Sequence, residues 1–187
     1  MKRNDTGTIF LRVILTALCL GLYAFIFANS AMTGGESASQ SSSVVALVQR
    51  VFKAIAPNSF VATAQGKDYE KLHAIIRTLA HFAEFGALGA LLVWCFASYT
   101  DRAVWFLVPF ALILFSPIVD ECIQLFTSAR VADIKDLIVD TLGGCAGALF
   151  AGITLVIGVA VKRKKEGNNG KKGIRNCPYQ IQQKNLV

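Results

Sequence analysis

The stretch that decides the fold is residues 117–144, which read PIVDECIQLFTSARVADIKDLIVDTLGG. It joins two long apolar runs, yet it carries a dense set of ionisable and amide side chains: Asp120, Glu121, Gln124, Arg130, Asp133, Asp136 and Asp140. Charged groups at the edge of a bilayer cost free energy, because lipid offers them no hydrogen bonds. We therefore expect these groups to meet one another, or a ligand.

Helical spacing predicts that these side chains converge. Asp120 and Gln124 are four residues apart and share one helix face, and Asp136 and Asp140 repeat that spacing on the next helix. A short loop between two helices makes them antiparallel neighbours. Both polar faces should then point to one place.

The composition is typical of a membrane protein. Of 187 residues, 54% are hydrophobic and 17% are charged, and the mean hydropathy is +0.51, which excludes an ordinary soluble domain. Much of the excess positive charge, which is +7 in all, lies in the basic cluster 162–165 and in Lys171, Lys172 and Arg175, and these residues lack the interleaved aromatic residues of a nucleic-acid binder. The five cysteines have no C-x-x-C spacing, so neither a zinc site nor a disulfide framework is predicted.

Four apolar runs predict an all-α integral membrane bundle with spans of about 9–28, 81–99, 103–126 and 137–161. A cleaved signal peptide is the alternative for the first run. The polar residues 29–43 lead to an amphipathic pattern from Val44 to Ile55, which predicts an extracytoplasmic interfacial helix. Asp68 is expected to cap the following helix. We assign 1–161 to one membrane domain and 162–187 to a basic, disordered cytoplasmic tail.

The distribution of basic residues predicts the orientation. An even number of spans puts both termini on one side, and Lys2, Arg3, Arg12 and the basic cluster 162–165 make that side the cytoplasm. The polar residues at the start of span two, the end of span three and the start of span four then all fall on the outer face.

His81 and Glu84 share a helix face at the start of the second span, with Arg77 one turn before them. The structural alternatives are an interfacial histidine, a solvated helix end at Asp120 and Glu121, and a helix-dipole role for Asp136. Arg130 is expected to bridge carboxylates or to hold a phosphate or carboxylate ligand.

Three motifs resemble the VanZ-like family of bacterial membrane proteins over roughly residues 10–160. They are Arg77-x-x-Ala80-His81-Phe82-x-Glu84, Asp120-Glu121-x-x-Gln124-x-Phe126-x-x-x-Arg130, and Asp136 followed by Asp140-Thr141-Leu142-Gly143. Phe27-x-x-Ser30 and the serines at 37 and 41 are also similar to the family pattern. The resemblance implies a multi-pass protein of the bacterial cell membrane and an association with teicoplanin resistance. It implies no catalytic residue and no cofactor.

Three functions remain open on the sequence. The first is an envelope protein that lowers the access of a glycopeptide antibiotic. The second is an enzyme or transporter for an anionic, lipid-linked envelope precursor, in which Arg77 and Arg130 hold phosphate and His81 handles a proton. The third is a structural ion-pair network. No metal is assigned, and a divalent ion between Glu84, Asp120, Glu121 and Asp136 is left as an alternative.

The orientation can be tested with reporter fusions. We expect a reporter that works only in the cytoplasm to be active after Val161, and one that works only outside the membrane to be active near Ala64. The reverse activity at either position would contradict the orientation.

Overall fold

The computed structural model describes residues 5–100, 102, 106–127 and 133–175, with side chains described as far as Lys165. Its elements are α1 (Thr6–Ser30), α2 (Gly34–Ile55), α3 (Phe60–Thr63), α4 (Lys67–Tyr99), α5 (Leu107–Leu125) and α6 (Ile134–Arg175). Within these ranges, four helices are long and apolar enough to cross a membrane: α1, α4, α5 and Ile134–Lys165 of α6. The predicted all-α fold with four spans and a helix after the first is confirmed.

The surface of these helices has the character of a lipid-facing surface. Large apolar side chains such as Phe10, Leu20, Phe115 and Leu149 are between 63% and 67% exposed. Water would make such exposure unfavourable, whereas lipid accepts it provided that the backbone is satisfied within the helix.

The helix after the first span begins earlier than the amphipathic pattern predicted. Thr33 and Glu36 form a capping box, in which the Thr33 backbone N–H donates to Glu36 Oε2 at 2.9 Å and the Glu36 N–H donates to Thr33 Oγ1 at 3.3 Å. The bond from the Thr33 N–H, together with one from the Thr33 hydroxyl to the same oxygen at 2.8 Å, lowers the pKa of the exposed Glu36 carboxyl. The polar residues from Gly34 onward are therefore helical, since the cap satisfies the free N–H groups of the first turn.

A satellite core holds α2 against the segment that follows it. Val45 is fully buried and packs with Ala64 and Leu72. Gln49 Nε2 donates to the carbonyls of Val61 and Ala64 at 3.2 and 3.0 Å. This segment contains the short helix α3, and α4 then begins after Gly66 at a φ of 55°, not after Asp68 as predicted.

The main core lies between α1, α4 and α5. Its buried members include Ile26 from α1, Phe85, Leu88 and Leu92 from α4, and Ile113 from α5. At one end of this core, Arg12 Nε donates to the Ser98 carbonyl at 3.1 Å, and its guanidinium lies 5.2 Å from the Tyr99 ring centre. The start of α1 therefore lies beside the end of α4, which makes the two helices antiparallel.

The last helix extends to Arg175, beyond the predicted end of the fourth span at 161. Residues 162–175, which were predicted to be disordered, continue it as helix. The chain divides into two compact units, one ending at Phe150 and one beginning at Ala151.

Glycines allow α4 and α6 to touch through their backbones. A Cβ placed on Gly89 would lie 2.9 Å from the Gly144 carbonyl carbon, and one on Gly147 would lie 2.7 Å from that of Gly86. A Cβ on Gly143 would collide with the backbone of Phe82. Small residues have the same use in membrane helices generally, where close approach replaces the hydrophobic driving force.

We expect Gly89→Ala to lower the stability of the protein by about 1–3 kcal/mol, because the added methyl forces two backbones apart. Gly21→Ala is the matched control, since nothing lies within 4 Å of its added Cβ and alanine is the better helix former. Thermal unfolding in mild detergent measures both. Equal midpoints for the two variants would contradict the backbone contact.

Candidate functional site

Helices α4, α5 and α6 bring the predicted polar residues to one end of the bundle. We call polar cluster the set formed by Ser30, Arg77, His81, Glu84, Asp120, Glu121, Gln124, Asp136 and Asp140. Arg130, which was predicted to belong to this set, lies outside the described residues, and its role stays a prediction.

Asp120 is fully buried and is held from two sides. Gln124 Nε2 donates to its Oδ2 at 2.8 Å, one turn along α5. Ser30 Oγ contacts its Oδ1 and also lies 3.1 Å from the Ile26 carbonyl. A hydroxyl has one proton, so Ser30 donates to one of these two acceptors at a time. The hydrogen bond to Asp120 links the end of α1 to α5.

His81 and Asp140 face each other across the α4–α6 contact. His81 Nδ1 and Asp140 Oδ1 are 3.3 Å apart, and the Asp140 side chain is fully buried. Among the described residues, neither oxygen of Asp140 has a partner with hydrogen-bond geometry, nor has His81 Nδ1. Buried polar atoms are almost always satisfied, so this pair is the exceptional part of the cluster.

Glu121 joins α5 to the start of α6. Its Oε2 accepts a hydrogen bond from the Asp133 backbone N–H at 3.2 Å. Its Oε1 is buried and has no hydrogen-bond partner in the described part of the chain. Glu121 is 8% exposed and Asp120 is 0% exposed. The alternative that these two residues form a solvated helix end is therefore wrong.

Arg77 and Asp136 form the more accessible edge of the cluster. Arg77 Nη2 lies 3.4 Å from Asp136 Oδ2, with 39% and 24% of the two side chains exposed. A pair as open as this contributes at most about 1 kcal/mol. Among the described residues, the ion pair of Arg77 uses Nη2, which leaves the other guanidinium nitrogens for an anion.

A cavity of about 180 Å³ lies beside the cluster. Arg77, His81, Glu84 and Asp120 line it on one side, and Ser30 with residues of α2 lines the other, namely Ser37, Gln40 and Ser41. Apolar side chains complete the wall: Phe25, Ile26, Val44 and Ile76.

Spacing on the spans did not identify the residues that α1 and α2 contribute. Ser30, Ser37 and Ser41 were noticed only through the family resemblance, and Gln40 was not singled out. The available signal was the serine-rich composition of 37–43 directly after a span.

Three cluster residues could hold a metal ion. One donor atom each from His81, Asp120 and Asp140 lies within 4.8 Å of the other two. The sequence left open a different metal site, formed by Glu84, Asp120, Glu121 and Asp136. The two sets share Asp120, and the structure has Asp140, one helical turn further along α6, in place of Asp136.

Comparison with known families finds one match. The sequence model of the VanZ/LLP1 family matches residues 15–155, which include every residue of the polar cluster. Neither the comparison with curated proteins nor the comparison with solved structures finds a match.

We expect cysteines at Arg77 and Asp136 to be joined by a short bifunctional reagent, in a background without the five native cysteines, because the two side chains meet. Cysteines at Leu79 and Asp136 form the control pair, since Leu79 is 60% exposed and lies two residues further along α4. Gel mobility after reaction measures both. Equal cross-linking of the two pairs would contradict the arrangement of α4 and α6.

Proposed function

The chain belongs to the VanZ/LLP1 family, and from this premise we propose that it acts in bacterial envelope homeostasis, including resistance to teicoplanin, through the polar cluster and its cavity. The observation that carries the proposal is the cavity itself. A cavity lined by His81, Glu84 and Asp120 in a membrane bundle is expensive to maintain without a ligand.

We place the cavity at the outer face of the cell membrane. Ser30, at the end of α1, belongs to the cluster, whereas Arg12 lies toward the other end of the same helix, and Lys2 and Arg3 precede that helix in the sequence. The 25 residues of α1 extend over about 37 Å, which is enough to cross the hydrocarbon core. The positive-inside rule puts the basic end in the cytoplasm and the cluster outside, with both termini cytoplasmic.

The size of the cavity limits what it can hold. Sites for drug-sized ligands have volumes of about 300–1,000 Å³, whereas this cavity has about 180 Å³. A whole glycopeptide is larger than a drug-sized ligand and does not fit. The cavity suits a polar headgroup, with the apolar wall beside it accepting the start of a lipid chain.

A second candidate function is supported by Arg77. An arginine fork on the cavity wall, with one nitrogen in contact with Asp136, is well suited to a phosphate oxygen. The protein would then be an enzyme or transporter for an anionic, lipid-linked envelope precursor, and reduced antibiotic action would follow from the changed precursor pool.

A purely structural network fits the cluster less well. Such a network gains stability only when its buried members are satisfied. In the described part of the chain, Asp140 and Glu121 keep buried oxygens without hydrogen-bond partners. Buried acceptors left open are more typical of a site that binds something.

We expect Glu84→Gln to abolish protection against teicoplanin in a host that expresses the protein, with normal abundance in the membrane. The change removes a charge from the cavity wall and alters the side-chain volume little. Glu70→Gln is the matched control, because Glu70 is an exposed residue of the same helix outside this cavity. Susceptibility and membrane abundance are measured side by side.

The outcomes separate the candidate functions. Lost protection with normal abundance supports the cavity, and accumulation of a lipid-linked precursor in the same cells supports the second candidate. Lower abundance together with lower protection indicates a structural network. Protection by Glu84→Gln equal to that of the unchanged protein would contradict a role of the cavity.

A further inference from the structure

Asp140 is the residue that the proposed function leaves without an explanation. Its side chain is fully buried, and its two oxygens have no hydrogen-bond partner among the described residues. A buried carboxylate without hydrogen bonds is very unfavourable unless a cation compensates it. His81 Nδ1, at 3.3 Å, is the neighbour toward which Asp140 Oδ1 points, but the two atoms lack hydrogen-bond geometry.

The spacing of the two atoms fits a shared metal ion. Donors that bind one tetrahedral ion at about 2.0–2.1 Å lie roughly 3.3 Å from each other. The distance between His81 Nδ1 and Asp140 Oδ1 has that value. One donor atom each from His81, Asp120 and Asp140 lies within 4.8 Å of the other two, which is close enough for the three side chains to hold one ion.

The neighbours of Asp120 have the arrangement of an outer ligand shell. Gln124 Nε2 donates to one carboxylate oxygen and Ser30 Oγ contacts the other. Outer-shell hydrogen bonds of this kind fix the direction of a ligating carboxylate. Each oxygen keeps a second lone pair for an ion.

The local balance of charge also favours a cation. Glu84, Glu121, Asp120 and Asp140 are carboxylates in or beside the buried part of the cluster, whereas Arg77 lies at its accessible edge, in contact with Asp136. An ion of charge +2 offsets two of these carboxylates at once, which a single imidazolium cannot do.

We propose that His81, Asp120 and Asp140 bind one divalent transition-metal ion, of the class of Zn²⁺ or Mn²⁺. A nitrogen donor with two carboxylates suits these ions, whereas Mg²⁺ and Ca²⁺ prefer oxygen donors throughout. Three protein ligands leave a coordination position open. His81 and Asp120 also line the cavity, so a phosphate or carboxylate oxygen bound there reaches the ion.

The test begins with the unchanged full-length protein, purified in mild detergent without chelator. We expect about one equivalent of zinc or manganese per chain by elemental mass spectrometry, since the set of donors forms a single site. After removal of the metal with a chelator, added Zn²⁺ or Mn²⁺ should raise the midpoint of thermal unfolding. Mg²⁺ and Ca²⁺ at the same concentration should raise it much less.

Matched variants locate the site. His81→Gln and Asp140→Asn should lose the bound metal and the rise in midpoint. His73→Gln and Asp68→Asn should keep both, since His73 is the other histidine of the chain and Asp68 is an exposed aspartate of the same helix. Ser30→Ala should weaken the affinity for the ion by about 10- to 100-fold, as loss of an outer-shell partner does elsewhere.

Two results would overturn the metal site. One is a metal-free wild-type protein whose unfolding midpoint neither Zn²⁺ nor Mn²⁺ raises, and this result does not depend on whether any variant folds. The other is equal loss of metal in His73→Gln and His81→Gln, which would indicate adventitious binding. Both measurements use purified protein, so they succeed or fail independently of the proposed envelope function.

Discussion

A carboxylate inside an apolar bundle must be satisfied by its neighbours, and the arrangement of the helices follows from this constraint. Asp120 is fully buried, so the end of α1 lies against α5, where Ser30 reaches the carboxylate. Glu121 accepts the backbone N–H of Asp133, so the start of α6 lies against the end of α5. Lipid would satisfy none of these groups, and separation of the helices would leave each of them exposed to hydrocarbon.

The glycine contact between α4 and α6 determines the geometry of the polar cluster. Gly143 follows Asp140 by three residues, and its backbone meets that of Phe82, the residue after His81. Because no side chain separates the two helices at this point, His81 and Asp140 come within 3.3 Å although they lie on different spans. Ordinary side chains keep packed helices about 8–10 Å apart from axis to axis, whereas the glycines allow the backbones of α4 and α6 to touch here.

Much of this arrangement was readable from the sequence, because it depends on spacing along one helix. The four spans follow from the apolar runs, and the convergence of Asp120, Gln124 and Asp140 follows from spacings of three and four residues. The contribution of α1 and α2 was not readable in that way, because Ser30 reaches Asp120 across 90 residues. The start of α2 was readable, since Thr33-x-x-Glu36 is a capping-box signature, but the prediction used only the amphipathic pattern from Val44.

Stability and function place opposite demands on the cluster. A site optimised for stability would pair every buried oxygen, as Gln124 does for one oxygen of Asp120. Among the described residues, Asp140 departs from that rule beside the glycine contact, where a shift of α6 away from His81 would open the backbone contact between Gly143 and Phe82. Rigid packing thus maintains an electrostatically unfavourable carboxylate, and natural proteins keep such local conflicts mainly at functional sites. The position of Asp140 is therefore better explained by the proposed metal site than by a contribution of this residue to the stability of the bundle.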